Sequence, residues 1–438
     1  MRVVESKEEL TNVFYSGCKA EKTVGLEYEK LPVYSENFFA AKYDDVAKII
    51  LDMENEDRTV VFEGKYPIGM ILPQGHISLE PGAQFEVSLN PVENVSEIRK
   101  ILDDYNEETT EIAEKYGISW LEVGIQPVSI FENIKIIPKK RYAQMTNYLP
   151  QKARLPFVMM RETAGIQVGL DYSSEEDAMS KLSTAIKLSP LVSAMFANSP
   201  VRNLRLSGSK SFRAYSWLNT DEDRCGLISE KLFHNDFSFD DYRKTLFDVP
   251  MIFIEKNNKY ISVGNMTFGE YYRHGFEGYF PTMEDWMTHL SLYFPDVRLK
   301  TYLEIRNHDS QKSEMITAVP ALWKAILYNK DAQNAVEDLF KGCEYKDIEE
   351  LRYLTPEYGL DIRFKRYPLY DLAKELMNIA MQSLAMMKTG EEKYLYPLLN
   401  YVKQCKTPAD DIISSLKDKE KITLEDIKKF KARLSNKI

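Results

Sequence analysis

The stretch that decides the fold is ISLEPGAQFEVSL, residues 77–89. Apolar and polar residues alternate on both sides of the central Pro-Gly pair, which predicts two short strands joined by a tight turn. Glu80 precedes the turn, and Gln84 and Glu86 follow it on one face of the second strand. The turn would bring three oxygen-bearing side chains together, although an ordinary hairpin with exposed acids would share this pattern.

A second acidic strand is predicted upstream, in GLEYEK at residues 25–30. Glu27 and Glu29 are two positions apart, so on a strand both side chains point to one face. Leu26 and Tyr28 then point the opposite way, into the core. Taken alone, the alternation favours an ordinary half-buried strand with a solvated acidic face, because such strands are common in antiparallel sheets.

A third candidate is RLKTYLEIRNHD, residues 298–309, in which Glu304 and Arg306 share a strand face. Phosphoryl transfer needs a carboxylate for metal beside a guanidinium, because metal and arginine together neutralise charge on the transferring oxygens. The simpler interpretation is a cross-strand ion pair, which contributes less than about 1 kcal/mol when it is exposed.

These acidic strands together favour metal chemistry. Carboxylates clustered on neighbouring strands would repel one another strongly without divalent cations. The five histidines contain no His-x-x-x-His pair, and oxygen ligands suit magnesium or manganese rather than zinc. The sequence has no P-loop, no G-x-G-x-x-G and no G-x-S-x-G motif. It therefore predicts an ATP site without a P-loop, held by two or three magnesium ions on a sheet.

Three arginines are candidates for binding an anionic substrate, because a guanidinium grips a carboxylate with two parallel hydrogen bonds. They are Arg141 in KKRYAQM, Arg213 in KSFRAYSW and Arg224 in TDEDRCG. Each of them, considered singly, is more often a surface residue than a ligand.

The order of predicted elements favours an α+β protein. Short β-forming runs with frequent turns indicate an antiparallel meander, and amphipathic helices are predicted over residues 95–116 and 173–196. The chain becomes mostly helical after Pro320. We expect a mainly antiparallel sheet lined with carboxylates, with helices outside. Residues 1–330 would form the catalytic domain, and residues 331–438 a helical part packed on the same domain.

Composition excludes several classes of partner. The chain has 438 residues, 44% of them apolar and 28% charged, with a net charge of −10 and no basic stripe, which disfavours nucleic acid. No apolar run is long enough for a membrane helix. The first residues are charged and lack an apolar signal region, so a cytoplasmic protein is expected. The four cysteines are far apart, which favours reduced thiols.

The motifs occur in an order that resembles glutamate–cysteine ligase of the plant and proteobacterial type, which has a glutamine-synthetase-like fold. They are GLEYEK, SLEPGAQFEVS, RYAQMTNYLP, QVGLDYSS, ANSP, WLNTDEDRCG, FPDVRLKTYLEIR and KTPADDI. The resemblance implies that ATP phosphorylates the γ-carboxylate of glutamate and that the amine of cysteine then displaces phosphate. This reaction is the first step of glutathione biosynthesis.

The resemblance also implies residue roles and cofactors. The cofactors would be ATP and two or three Mg²⁺ ions, with Mn²⁺ as a possible substitute. Arg306 and Glu304 would be catalytic, with Arg306 facing the phosphoryl group. The metal ligands would be Glu27, Glu29, Glu80, Glu86, Gln167 and Glu304. Arg141 and Arg213 would hold the glutamate carboxylates, and Arg224 and Trp217 complete the set of expected substrate-binding residues.

The sequence departs from the plant pattern in two places near the expected metal cluster. Tyr28 stands where plant members have histidine, and Gly169 where they have asparagine. Two alternatives remain open: a ligase with the same activation step but a different amine acceptor, and a non-catalytic binding protein. A monomer and a homodimer are both compatible with the sequence.

Overall fold

Residues 77–89 form two neighbouring strands and their turn in the computed structural model, which describes residues 2–234, 236–257, 259–419 and 421–431. The strands are β1 (Val24–Tyr34), β2 (Thr59–Glu63), β3 (Tyr66–Leu72), β4 (Gly75–Leu79), β5 (Phe85–Val92), β6 (Ile118–Leu121), β7 (Gly165–Leu170), β8 (Val201–Arg202), β9 (Arg205–Leu206), β10 (Cys225–Gly226), β11 (Ile254–Lys256), β12 (Lys259–Ile261), β13 (Phe294–Pro295), β14 (Val297–Leu299), β15 (Leu303–Asp309), β16 (Arg363–Phe364) and β17 (Tyr367–Pro368).

The main sheet has nine strands among the described residues. Eight of them run in the order β14-β15-β7-β1-β5-β4-β3-β2, and β6 pairs with the far end of β1. Every neighbouring pair in this sheet is antiparallel. The mainly antiparallel sheet expected from the sequence is therefore confirmed, and β1 lies at its centre.

The two faces of the sheet differ in chemistry, as the alternation in β1 predicts. Leu26 and Tyr28 are buried on the apolar face, where Leu26 pairs with Leu89 and Val168 of the adjacent strands. Every second residue of β1 points to the opposite face, and there the neighbouring strands also present polar side chains. The acidic side chains thus share one surface because the strand period is two.

Helices cover the apolar face of the sheet. α6 packs against β14 and β15, α12 against β1 and β7, and α3 against β5 and β6. The helices are α1 (Lys7–Tyr15), α2 (Tyr43–Asp52), α3 (Val95–Lys115), α4 (Lys140–Tyr148), α5 (Pro156–Glu162), α6 (Glu175–Met195), α7 (Phe212–Leu218), α8 (Phe239–Asp248), α9 (Phe268–His274), α10 (Met283–Ser291), α11 (Ser313–Ile316), α12 (Ala318–Leu327), α13 (Lys330–Leu339), α14 (Tyr345–Tyr358), α15 (Leu369–Met387), α16 (Tyr396–Lys403), α17 (Pro408–Leu416) and α18 (Leu424–Ile427).

The long helices begin and end where their capping residues predict. The side chain of Ser174 accepts a hydrogen bond from the backbone of Asp177 and starts α6. Gly117, with a φ of 65°, follows the last turn of α3 and ends it. None of the described helices combines the length and the apolar character that crossing a bilayer would require.

The C-terminal part is helical, with α13–α18 and the short pair β16–β17 after residue 330. α14 packs on α6 and α7, and α15 packs on α12. One hydrophobic cluster continues from Val4 through the sheet to Val402. A boundary at residue 330 stays a prediction, and residues 432–438 of the predicted helical part lie outside the described residues.

Candidate active site

The polar face of the sheet forms one wall of a cavity of about 340 Å³. The predicted acidic residues Glu27, Glu29, Glu80 and Glu86 line it, together with Gln167. Arginine and tryptophan side chains complete the lining. Arg141, Arg213 and Trp217 come from the helices α4 and α7, whereas Arg298 and Arg306 come from the edge strands β14 and β15 of the same sheet.

Strand register brings the carboxylates together. Glu29 of β1 lies directly opposite Glu86 of β5, and Glu27 lies opposite Gln167 of β7. Glu80 comes from the turn between β4 and β5, where its backbone N–H donates to the carbonyl of Gln84 at 3.0 Å. Residues more than eighty positions apart therefore share one surface.

Gln84 has a different role from the one that its place beside Glu80 suggested. Its side-chain oxygen accepts from Gly82 N at 2.7 Å, and its amide donates to the carbonyls of Met160 and Thr163 at 3.2 and 2.8 Å. The Gln84 side chain is thus hydrogen-bonded to backbone groups, which stabilises the turn. Glu80 and its neighbours remain as the candidate metal ligands.

The carboxylates of β1 and β5 are close enough to repel one another. Burial, and then the charge of Glu80, raise the pKa of Glu29 to about 7. Burial raises the pKa of Glu86 well above its ordinary value, and the charges of Glu27, Glu80 and Glu29 raise it further. Ser78 Oγ donates to Glu86 at 2.8 Å, which only partly compensates for the repulsion.

This environment fits a hard divalent cation, because oxygen ligands with unbalanced negative charge are what magnesium and manganese bind. Within the described chain, none of Glu27, Glu29, Glu80 and Glu86 forms an ion pair with lysine or arginine. Also within those residues, no three carboxylate, histidine or cysteine side chains converge closely enough to form a complete ligand set. The chemistry of the donors fits the metal, whereas the number of ions stays a prediction.

Glu304 has the opposite surroundings. Its carboxylate contacts Arg298 Nη2 at 2.6 Å, Lys300 Nζ at 2.6 Å and Arg306 Nη1 at 2.9 Å. Burial would raise the pKa of Glu304, but these three cations hold it well below its usual range. The predicted pairing of Glu304 with Arg306 is present, in a buried network larger than a simple cross-strand pair. A metal contact for Glu304 stays a prediction.

The arginine wall carries unpaired hydrogen-bond donors. The Nε atoms of Arg141 and Arg213 and the Nε1 atom of Trp217 are buried without a partner in the described chain. Arg213 Nη2 donates to the carbonyl of Arg306 at 3.0 Å, and Arg141 Nη2 approaches Ser291 Oγ at 3.5 Å. Burying a donor without an acceptor costs about 1–3 kcal/mol. The positive charge of Arg141 and Arg213 in the cavity lining therefore favours an anionic ligand.

Arg224 is the predicted substrate residue that the structure does not bring to the cavity. It is fully buried, and its Nε contacts Asp221 at 2.6 Å. Its terminal nitrogens donate to the carbonyls of Leu292 and Pro250 and to the hydroxyl of Tyr148. The expectation of a substrate contact is corrected here, because these bonds use the guanidinium to tie loops together.

A second cavity of about 280 Å³ adjoins the first, and Glu27, His76 and Gln167 line both. Tyr302 and Glu304 line only the second cavity. Sequence reasoning missed His76, although it precedes Glu80 by four residues and shares the cavity face of β4 with Ser78. It also missed the partners of Glu304, which alternate along the same quoted motif: Arg298 and Lys300.

A mainly antiparallel sheet with a carboxylate-lined face and helices outside it confirms the α+β fold class expected from the sequence. Comparison with known proteins narrows this class. The sequence model described as Glutamate-cysteine ligase family 2 matches residues 23–430. The chain belongs to this family.

Individual relatives agree with this assignment. The chain is 33% identical over 415 residues to glutamate–cysteine ligase A, chloroplastic, of Oryza sativa subsp. indica, covering 93% of this chain and 84% of the rice protein. It is 34% identical over 414 residues to the chloroplastic enzyme of Arabidopsis thaliana, covering 93% and 79%. The crystal structure of glutamate–cysteine ligase from Francisella tularensis in complex with AMP has a TM-score of 0.52, at 12% identity over 94% of this chain and 89% of that one. At this identity the structural likeness shows the fold.

The relatives correct one expectation. The rice and Arabidopsis proteins are chloroplastic enzymes, which contradicts the cytoplasmic location expected from the sequence. That prediction was wrong because it rested on the lack of a secretory signal region, and this lack does not distinguish the cytoplasm from an organelle.

Proposed function

We propose that the chain joins the γ-carboxylate of glutamate to the amine of cysteine at the expense of ATP, the first step of glutathione biosynthesis. One observation carries the proposal: a single cavity has repelling carboxylates on one wall and unpaired, buried arginine donors on the other. Family membership supports the same reaction. A cavity of this kind suits a phosphorylated anionic substrate and the cations that accompany it.

We assign glutamate to the first cavity. Arg141 and Arg213 would grip its α-carboxylate, and Trp217 Nε1 would complete the ring of donors. The fit is chemical, because a carboxylate offers acceptors on both oxygens and the lining arginines offer guanidinium donors of opposite charge. The γ-carboxylate would then point toward the acidic wall.

We assign ATP to the second cavity. Its shared lining with the first, Glu27, His76 and Gln167, would place the terminal phosphate beside the γ-carboxylate. Tyr302 offers an aromatic surface in this cavity. The AMP complex of the Francisella tularensis enzyme is consistent with a nucleotide in this fold.

We further propose that Glu27, Glu29, Glu80, Glu86 and Gln167 hold two or three magnesium ions. Bound divalent cations supply charge neutralisation on the phosphates during transfer. Arg306 donates to Gln167 and to Glu304, so its guanidinium lies between the two cavities. It would stabilise negative charge on the transferring phosphoryl oxygens.

The reaction then follows in two displacements. A γ-carboxylate oxygen attacks the terminal phosphorus of ATP, the bond to the bridging oxygen breaks, and ADP leaves. The amine of cysteine attacks the resulting acyl phosphate, phosphate leaves with the bonding electrons, and the amine loses a proton. Orientation of glutamate by Arg141 and Arg213 would make the first displacement effectively intramolecular.

The test is an amine-acceptor panel with ATP, magnesium and glutamate, read by phosphate release and product mass. The proposal expects rapid release with cysteine and a product with the mass of γ-glutamylcysteine. Preference for another amine would keep the activation step and replace the acceptor. Absence of phosphate release with every amine would contradict a ligase activity altogether.

A further inference from the structure

Asp309, the last residue of β15, is a buried carboxylate whose two oxygens are both used. Oδ2 accepts from Asn198 N at 2.8 Å and from Ser199 Oγ at 2.7 Å, and Oδ1 accepts from Ser211 Oγ at 2.8 Å. Asp309 lines neither of the two cavities of the candidate active site. Any effect on the reaction must therefore pass through its neighbours.

The two hydroxyls connect Asp309 to the first turn of α7. Ser199 Oγ accepts from Arg213 N at 3.1 Å, and Ser211 Oγ accepts from Ala214 N at 3.0 Å. A hydroxyl has one hydrogen to donate, and in both serines Asp309 receives it. The carboxylate therefore orients both hydroxyls, and the hydroxyls locate the start of the helix that carries Arg213.

The side chain of Arg213 has little room to move. Its guanidinium lies flat against Gly165 of β7, where a Cβ atom would collide with it. Nη2 is held by the carbonyl of Arg306, and Nε stays unpaired. Burial lowers the pKa of Arg213, and the negative charge of Asp309 opposes this shift first among its acidic neighbours. Small shifts of α7 would therefore change where Nε is presented.

We propose that Asp309 is a positioning residue for glutamate binding: through Ser199 and Ser211 it anchors α7 and sets where Arg213 meets the substrate carboxylate. The inference rests on the proposed function, because it takes Arg213 as a contact for glutamate. It assigns a specific duty to a carboxylate that touches neither substrate nor metal.

The main test is Asp309→Asn, which keeps the shape of the side chain. The substitution turns one acceptor oxygen into an NH₂ donor, which then faces a hydroxyl or an N–H donor. We expect kcat/KM for glutamate to fall about a hundredfold, since small misplacements of a binding group have effects of this size. This fall should come from a higher KM for glutamate, while the KM for ATP stays unchanged.

Glu391→Gln is the control, because Glu391 is an equally buried carboxylate at a helix start, where it also pairs with Lys324 Nζ at 2.6 Å. It accepts from Val95 N at 2.6 Å at the beginning of α3 and from Thr389 Oγ1 at 3.0 Å, and it lines neither cavity. We expect a lower Tm with both KM values unchanged. The comparison separates positioning of Arg213 from general loss of stability.

Gly124→Ala displaces Asp309 without changing its charge, because a Cβ atom there would lie 2.6 Å from Asp309 Cγ. We expect the same selective rise in the KM for glutamate. If Asp309→Asn fails to fold, Gly124→Ala and Ser211→Ala carry the test, since each disturbs one part of the anchor.

A double-mutant cycle separates this inference from the proposed function. If Asp309 acts through Arg213, Asp309→Asn adds little to the effect of Arg213→Ala on the KM for glutamate. Full additivity, or an equal rise in the KM for ATP, overturns the positioning role while the proposed function stands. An unchanged KM for glutamate in Arg213→Ala instead removes the proposed contact of Arg213, and the positioning role with it.

Discussion

Two buried acidic regions on one sheet face show opposite electrostatics. Around Glu29 and Glu86, carboxylates face other carboxylates, and burial with mutual repulsion raises their pKa values. Glu304 is as deeply buried, yet three cations within 3 Å hold its pKa well below the usual range. Burial alone therefore does not determine the charge of a carboxylate. The first region needs external cations, whereas the second already has its own.

The largest expected effect comes from removing one of the three cations that pair with Glu304. Arg298→Met would leave Glu304 buried with fewer partners and would also free the carbonyl of Tyr293, which Arg298 Nη1 contacts at 2.8 Å. Breaking a buried ion pair on one side destabilises a protein by about 3–5 kcal/mol. Urea unfolding measures this loss.

The control is Arg99→Met, which breaks the more exposed pair of Arg99 with Asp103 on α3. Its expected loss is below about 1 kcal/mol. Equal losses in the two variants would contradict the contrast between the regions.

The next largest effect is expected in the region around Glu29, Glu80 and Glu86, where carboxylates repel one another. Glu80→Gln should lower magnesium affinity and reduce turnover by about a hundredfold or more, because even groups that only support metal ligands contribute ten- to hundredfold. The fold should persist, since Gln84 holds the turn through its own side chain. Initial rates across a magnesium titration provide the measurement.

Glu114→Gln, an exposed glutamate at the end of α3, serves as the control and should leave the titration unchanged. Near-normal turnover of Glu80→Gln at saturating magnesium would remove the metal role of Glu80.

A smaller effect is expected from Arg141, one of the arginines that line the first cavity. Arg141→Ala removes one unpaired donor and should raise the KM for glutamate about tenfold, which corresponds to 1.4 kcal/mol. The adjacent exposed residue gives the control, Lys140→Ala, with no change expected. A rise in the KM for ATP alone would move Arg141 to the nucleotide.

The smallest effect is a pH dependence of stability that tells the two regions apart. A carboxylate whose pKa is raised to about 7 in the folded state, as for Glu29, favours folding below its unfolded pKa near 4.5 and loses that contribution as pH rises to 7. Glu304 is ionised in both states across this window, because its folded pKa is depressed. Its stabilisation is lost only as pH falls below about 4.5.

Adding magnesium isolates the contribution to stability of the carboxylates that repel one another around Glu29 and Glu86. The increase in Tm on adding magnesium should be larger at pH 8 than at pH 5, because Glu29 and Glu86 are protonated at the lower pH and repel less. An increase of the same size at both pH values would contradict metal binding by these side chains.

Local sequence patterns predicted the faces of the strands correctly. Two-residue spacing placed Glu27 with Glu29, and Glu304 with Arg306, because side chains alternate along any strand. The Pro-Gly turn predicted the approach of Glu80 to the next strand. The opposition of Glu29 and Glu86 depends on register between distant segments, which no local pattern contains.

The errors and omissions also have a physical origin. An arginine among acids looks alike in either role, so the sequence alone indicates a substrate contact for Arg224, and only the fold shows its guanidinium enclosed by Asp221 and loop carbonyls. The partners of Asp309 lie about a hundred residues upstream, at Ser199 and Ser211. Such contacts arise when the chain returns to itself, so sequence spacing carries no sign of them.

The contact of Arg213 with Gly165 has a consequence for how this chain can vary over generations. With the Arg213 guanidinium in its present place, a Cβ atom at position 165 would lie 2.4 Å from Nη2, so one of the two groups would have to move. A lineage that exchanges the arginine for a smaller residue releases this restriction, whereas a lineage that gains a side chain at position 165 displaces or loses the arginine. The two positions should therefore covary, and glycine at 165 becomes a readable marker of which homologues bind their substrate in the same way.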